Sequence, residues 1–163
     1  MVTSRSAGTI LLLASVAVIG TALLSQYVGG LQPCELCLYE RWPYYAVIVL
    51  CLLALLSRAP RLHRLVFRLC ALIFVASALL GLYHVGIEHH WIAGPSSCTG
   101  GLAKAGSVEA LQHALENREP VQCDVPQWSY RGVTMAGLNL AASLALVLLS
   151  LWALNRRRFG RRR

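Results

Sequence analysis

The chain has 163 residues, of which 56% are hydrophobic and 13% charged. That length suits one domain, and a soluble domain carries about 25% charged residues, so an ordinary water-facing globule is excluded. The net charge of +8 does not point to nucleic acid, because no basic patch is interleaved with aromatics and the arginines cluster beside apolar runs, as membrane topology signals do.

Residues 6–34 carry no charge. A helix rises about 1.5 Å per residue and about 20 residues cross a hydrocarbon layer, so a first span is predicted over about 7–27. The run is too long for a typical cleaved signal peptide, and no small-x-small site ends it. A second uncharged run predicts a span over about 42–57. Pro43 suits its first turn, where a missing N–H costs nothing, and Arg41 and Arg58 can snorkel outward at its two ends. A basic connector with Arg58, Arg61, Arg64 and Arg68 leads to a third span over about 69–87. A fourth covers about 132–155, followed by Arg156, Arg157, Arg158, Arg161, Arg162 and Arg163. The fold class predicted is an all-α membrane protein: one domain (1–163) forming a four-helix transmembrane bundle, with two extracytoplasmic loops over about 28–41 and 88–131.

Four spans put both termini on one side, together with 11 of the 15 basic residues; all seven acidic residues fall on the other. The positive-inside rule makes the arginine side cytoplasmic. Tyr27, Tyr39, Tyr44, Tyr45, Tyr83 and Tyr130, with Trp42, Trp91 and Trp128, fall near the outer span ends and read as an interfacial aromatic belt. Within the long second loop, Ser107 can cap a short helix whose apolar face, Val108, Leu111 and Leu115, would lie on the membrane surface.

This topology sorts the cysteines. Cys34 and Cys37 lie in the first outer loop and Cys98 and Cys123 in the second, on the side where disulfides persist. Cys51 and Cys70 lie within spans and read as small packing residues. Three explanations compete for the outer four. Structural disulfides suit Cys98 and Cys123, but bridging Cys34 to Cys37 closes almost no loop and gains little entropy. A zinc site usually has two close pairs, whereas Cys98 and Cys123 are 25 apart, so no metal is expected. Redox exchange between a close pair and a distant pair needs a thiolate and an accessible disulfide. The Cys-x-x-Cys spacing and a nearby cation both lower a thiol's pKa. Arg41 lies four residues beyond Cys37; the two share a face if a helix already runs through residue 37, and otherwise a turn must bring them together.

The stretch Pro33-Cys34-Glu35-Leu36-Cys37-Leu38-Tyr39-Glu40-Arg41 resembles the cysteine-pair loop of the bacterial disulfide bond formation protein B family. Gln122-Cys123 to Trp128, leading into Gly132-Val133-Thr134-Met135, carries the resemblance further, and nearly the whole chain takes part. The resemblance implies an inner-membrane enzyme that reoxidises a periplasmic thioredoxin-like oxidase of the DsbA type and passes the electrons to ubiquinone or menaquinone. Cys98 and Cys123 would receive electrons from that partner, with Cys98 forming the mixed disulfide. Cys123 would then attack Cys34, leaving Cys37 as the thiolate facing the quinone. Arg41 would hold the quinone head group, Met135 would line the site, and His89, through a Glu88-His89 pair, would lie near it. The segment from Glu88 to Cys98 is shorter than in the best-known members, and His84 and His90 are rival matches for the histidine. A quinone dissolved in the bilayer also accounts for the lack of a phosphate-binding glycine motif and of haem or iron–sulfur spacing. Two alternatives are a vitamin K epoxide reductase-like enzyme and a non-enzymatic four-span scaffold with structural disulfides.

Overall fold

The computed structural model describes residues 4–57, 59–95, 98 and 121–159. Helix α1 covers Ser4–Tyr27, a short α2 Glu35–Tyr39, α3 Trp42–Leu56 and α4 Pro60–Glu88. Strands β1 (Ser129–Tyr130) and β2 (Val133–Thr134) form a hairpin that leads into α5, Met135–Phe159. Among the described residues, four segments are long and apolar enough to cross a membrane: Arg5–Tyr27, Glu35–Leu56, Pro60–Glu88 and Met135–Asn155. The protein is thus a mostly helical four-span bundle. The helix predicted at Ser107 lies outside the described residues.

The helix ends differ from the uncharged runs in instructive ways. α4 begins at Pro60, which occupies its first turn, so Arg61, Arg64 and Arg68 are helical rather than part of an open connector. Absence of charge marks the hydrocarbon layer, whereas a helix continues until its backbone is stopped. α3 opens with Pro43 in its first turn, as predicted. The same proline separates α3 from α2. It has no N–H to offer the Tyr39 carbonyl and its ring crowds that group, so Arg41 N–H bonds Leu38 O at 3.2 Å and Tyr44 N–H bonds Arg41 O at 3.1 Å, in tighter i→i−3 turns. The β1–β2 hairpin pairs Ser129 with Thr134 and Tyr130 with Val133. Its two-residue turn, Arg131 and Gly132, has φ of 51° and 81°, the doubly left-handed turn that matches strand twist.

The principal pairings in the bundle are α4 on α5 and α1 on α3. Their common core joins Leu11 of α1, Val47 of α3, Phe67 and Phe74 of α4 and Leu146 of α5. Leu13, Leu56, Leu72 and Leu148 point outward and are exposed, as expected where lipid replaces water at the surface. Cys51 and Cys70 are fully buried in the core. Polar groups also tie the helices together. Tyr44 Oη donates to Asn139 Oδ1 at 2.7 Å and lies 3.0 Å from Ser143 Oγ, which is 2.9 Å from Ser77 Oγ. Tyr44 therefore does not belong to the aromatic belt. It is 1% exposed, whereas Tyr27, Trp42, Trp91 and Tyr130 are each more than 60% exposed.

Gly81 sets the approach of α4 to α5. A Cβ there would lie 3.3 Å from both Leu140 Cα and Asn139 Nδ2. Backbone cannot yield as a side chain end can, so Gly81→Leu must part the two helices; overpacking of this kind costs about 1–3 kcal/mol. The expected result is a lower melting temperature in detergent and a smaller folded yield for Gly81→Leu, with Gly20→Leu as the control, since nothing lies within 4 Å of a Cβ at Gly20.

Candidate active site

The break between α2 and α3 builds the site. Cys34 caps α2, and its sulfur accepts the Cys37 N–H at 3.3 Å. The turn of helix that follows brings the Cys37 thiol to within 2.9 Å of Cys34 Sγ, from which it accepts a hydrogen bond. A disulfide bond is about 2.05 Å long, so the pair can close with small movements. Both are free thiols, whereas Cys98 and Cys123 form a disulfide with Cα atoms 5.3 Å apart. Cys123 N–H also donates to Cys98 O at 2.8 Å.

The two pairs meet. Cys34, Cys98 and Cys123 are buried in one cluster with Leu36 and Ile87, and Cys37 packs against it. Two elements bring the distant pair there. α4 ends in a left-handed turn at His90, φ 57°, folding the Trp91 N–H back onto Gly86 O at 2.8 Å. At the other end, Thr134 joins α4 to α5. Its hydroxyl donates to Glu88 Oε2 at 2.6 Å and accepts the Gly137 N–H at 3.1 Å, capping α5 as an N-cap threonine does.

A cavity of about 400 Å³ opens beside Cys34 and Cys37, within the ~300–1,000 Å³ range of small-molecule sites. α1 and α5 supply mainly apolar walls, including Val18, Ile19, Met135 and Leu138, and Pro126 and Trp128 border it from the loop after Cys123. Arg41 lines it too, with Nη1 donating to Gln26 Oε1 of α1 at 2.7 Å. The Arg41 guanidinium is thus held by α1, and the helical spacing that would have set it beside Cys37 is interrupted by the turn at Glu40 and Arg41. Asn139 Nδ2 approaches Glu40 on the same wall but closes no hydrogen bond. An apolar slot bordered by one guanidinium and one unsatisfied amide donor fits a flat ring that carries carbonyl acceptors.

Of the residues singled out from the sequence, Cys34, Cys37, Cys123, Arg41 and Met135 line this cavity, and Cys98 is joined to it through Cys123. His89 does not line it: it is exposed and stacks on Trp91 with ring centroids 4.9 Å apart. The histidine at the site is His84. It is 2% exposed, its Nε2 is 3.6 Å from Cys34 Sγ, and its Nδ1 is 2.9 Å from Glu40 Oε1. Cys34 Sγ, Cys37 Sγ and His84 Nε2 all lie within 4.8 Å of one another, a donor set that a thiophilic cation could also take. Sequence reasoning gave His84 only as a rival match to His89 and assigned Glu40 no role. A signal was present: Ser77, Gly81, His84 and Glu88 recur at three- and four-residue spacing on an otherwise apolar helix, marking one small and polar stripe.

Cys34 is held below its ordinary thiol value, chiefly by its hydrogen bond with the Cys37 thiol and against the desolvation of its burial. The expectation of a Cys37 thiolate concerns a different redox state, in which Cys34 is bonded to Cys123.

A family model described as "Disulfide bond formation protein DsbB" matches residues 4–153. A disulfide bond formation protein B from Methylobacillus flagellatus is 31% identical over 142 residues, which is 83% of each chain. Another from Stutzerimonas stutzeri is 26% identical over 94% of this chain and 96% of its own. An uncharacterized protein from Rickettsia prowazekii is 28% identical over 85% of this chain and 81% of its own. No solved structure matches.

Proposed function

The chain belongs to the disulfide bond formation protein DsbB family, and from that premise we propose that it reoxidises a periplasmic thioredoxin-like oxidase and delivers the electrons to a membrane quinone. Membership of the family and four membrane-crossing helices make it a multi-pass membrane protein of disulfide bond formation. The observation that carries the finer reading is the meeting of a close thiol pair and a distant disulfide in one buried cluster at an apolar cavity.

In this reading the partner's thiolate attacks Cys98, and Cys123 leaves. Cys123 then attacks Cys34 of an oxidised Cys34–Cys37 pair, and Cys37 leaves as the thiolate. The partner's second thiol then attacks the mixed disulfide and the partner departs oxidised, freeing Cys98. Cys98 attacks Cys123 and Cys34 leaves, so the first pair holds two electrons as the free thiols Cys34 and Cys37, the state described above. A bound quinone supplies a two-electron acceptor that takes up two electrons and two protons to become the quinol. The residues toward it have separate tasks. Cys37 carries the sulfur on the cavity wall, Arg41 orients a carbonyl oxygen, and Met135 and the α1 side chains exclude water. Cys51 and Cys70 take no part, since their thiols lie in the bundle core away from the cavity lining. Cys51→Ala and Cys70→Ala are accordingly expected to keep turnover, read as quinone reduction with reduced partner in excess; loss of turnover in Cys51→Ala as complete as in Cys37→Ser would reassign the roles.

The test of function is to supply purified protein with a reduced thioredoxin-like oxidase and a short-chain quinone. Stoichiometric quinone loss and partner disulfide are expected, and neither should appear in Cys98→Ala. The sidedness follows from the distribution of arginines, with both termini in the cytoplasm and both cysteine loops in the periplasm. A membrane-impermeant thiol reagent should reach reduced Cys98 and Cys123 from the periplasmic face only; labelling from the cytoplasmic face alone would overturn topology and mechanism together.

A further inference from the structure

Three buried groups from two parts of the chain stand in line. Glu40 Oε1 is 2.9 Å from His84 Nδ1, and His84 Nε2, on the far side of the ring, is 3.6 Å from Cys34 Sγ. Glu40 is 6% exposed, His84 2% and Cys34 3%. Separations in the sequence of 44 and 50 residues mean that this alignment is made by the fold, not by local chain geometry. A carboxylate accepting the Nδ1 hydrogen fixes the imidazole tautomer and leaves the Nε2 lone pair to face its other neighbour. Here that neighbour is a sulfur within hydrogen-bond reach. A nucleophile, a base and a group that orients the base recur in this order wherever a thiol or hydroxyl must be activated.

We propose that His84, oriented by Glu40, is the proton acceptor for the Cys34 thiol when the Cys34–Cys37 pair is oxidised. The inference rests on the quinone-linked reading for the fate of the electrons. The Cys34 S–H proton moves to His84 Nε2, and the imidazolium is held by the Glu40 carboxylate. The electron pair left on Cys34 Sγ forms the bond to Cys37 Sγ. Two electrons leave through Cys37 to the quinone, and two protons, one from His84 and one from the Cys37 thiol, complete the quinol. His84 borders the same cavity as Cys37 and Arg41, so its proton is released where it is consumed.

The surroundings suit this role. Among the described residues, the other ionisable groups around the triad are Cys37 from α2, Arg41 from the α2–α3 turn, Tyr44 from α3, and Tyr83 and Glu88 from α4. α5 presents Asn139 and Ser143 and α1 presents Gln26, none of which titrates. Cys123 is tied up in its disulfide. Of these neighbours only the Glu40–His84–Cys34 line couples a base to a sulfur. Cys34 is the central sulfur of the exchange, attacked by Cys123 in one half of the cycle and bonded to Cys37 in the other. A base at Cys34 acts in the second half, taking the proton that Cys34 must lose before its sulfur can bond to Cys37.

The test reads Cys34 itself in reduced, quinone-free, full-length protein. The rate of Cys34 alkylation by iodoacetamide is followed against pH by peptide mass spectrometry for wild type, His84→Gln, Glu40→Gln and Glu40→Asp, with a chelator present and absent. Wild type should keep fast alkylation to well below neutral pH. His84→Gln should lose that plateau, shift the profile toward that of an ordinary thiol and slow alkylation at neutral pH at least tenfold. Glu40→Gln should shift the same way by less, and Glu40→Asp should recover part of the loss. Quinone reduction by His84→Gln should fall about a hundredfold or more, the range for loss of a general base, with the KM for quinone unchanged and Cys98 still trapping the partner. A residue that merely packs would lower the melting temperature without moving the pH profile. A His84→Gln profile that superimposes on wild type overturns the proposal while leaving the quinone-linked function standing. If His84→Gln fails to fold, an unshifted profile in Glu40→Gln overturns it, as does the absence of thiolate absorbance in reduced wild type at slightly acid pH. A wild-type profile that changes when the chelator is added would mean that the sulfur and imidazole ligands hold a cation instead, which also overturns it. A shifted profile in a protein that reduces no quinone would instead sink the functional reading and leave the Cys34–His84 proton transfer in place.

Discussion

Cys37→Ser is expected to abolish quinone reduction while leaving Cys98 able to trap the reduced partner as a mixed disulfide. The two pairs differ in what they can touch. Cys34 and Cys37 line the cavity and sit 2.9 Å apart, ready to close on each other. Cys98 does not line the cavity and is bonded to Cys123, which does. Without the Cys37 sulfur, Cys34 has no neighbour with which to form the product disulfide, and the electron pair has no exit at the cavity wall. A serine hydroxyl fills the space but cannot bond to sulfur in this exchange. The Cys98–Cys123 disulfide keeps its own chemistry, because nothing in its formation or attack passes through Cys37. The measurement combines stopped-flow quinone reduction with a non-reducing gel of the trapped complex. Measurable turnover in Cys37→Ser would remove the first pair from the pathway. Loss of the trapped complex together with turnover would mean that the substitution had damaged the fold.

Arg41→Gln should lower quinone reduction about ten- to a hundredfold. The guanidinium is planar, permanently charged and rich in donors. One of its donors is committed to Gln26 Oε1 at 2.7 Å, which fixes the group at the cavity rim and leaves the other N–H groups for a carbonyl oxygen. Hydrogen bonds from a charged group are worth about 1.5–3 kcal/mol, and about 1.4 kcal/mol is tenfold in rate. Since the helix breaks between Cys37 and Arg41, and Arg41 is held by α1, the loss should appear mainly in the KM for quinone, with little change in the maximal rate. Arg41→Lys keeps the charge without the fork and should be less impaired. Gln26→Ala should raise KM by a smaller factor, because it frees the guanidinium without removing it. Steady-state kinetics with saturating partner separate these outcomes. Unchanged kinetics in Arg41→Gln would make Arg41 a membrane-interface anchor at the end of a short span.

Much of this protein is legible in one dimension because a bilayer imposes a one-dimensional code. Backbone groups in hydrocarbon must bond within their own segment, so uncharged runs of sufficient length become helices. The spans and the proline at the start of α3 follow from that requirement, and so does the separation of Cys51 and Cys70 from the four loop cysteines. The Cys34–Cys37 pair is equally local: a two-residue gap and a break before Pro43 are enough to bring the sulfurs together. The ends of helices are less legible, because charge stops the hydrocarbon layer but does not stop a helix. α4 accordingly carries Arg61, Arg64 and Arg68 within it.

What only the tertiary structure decided are the contacts between spans. Periodicity cannot show which side of an almost wholly apolar helix faces its neighbours, since lipid accepts leucine as readily as the core does. Tyr44 reads as a belt residue by its position near a span end, yet Asn139 and Ser143 of α5 draw it into the bundle. His89 follows the glutamate of the motif and points away, whereas His84, one turn earlier on α4, meets Glu40 and Cys34. Gly81 lets α5 lie close along α4. Sequence alone determined which residues could do redox chemistry and which segments cross the membrane, because sulfur reactivity and hydrocarbon solubility belong to residues and runs. The fold decided which histidine stands beside the sulfur, because that depends on the rotation of one helix against another, and the rotation is set by small residues and polar contacts far apart in the chain.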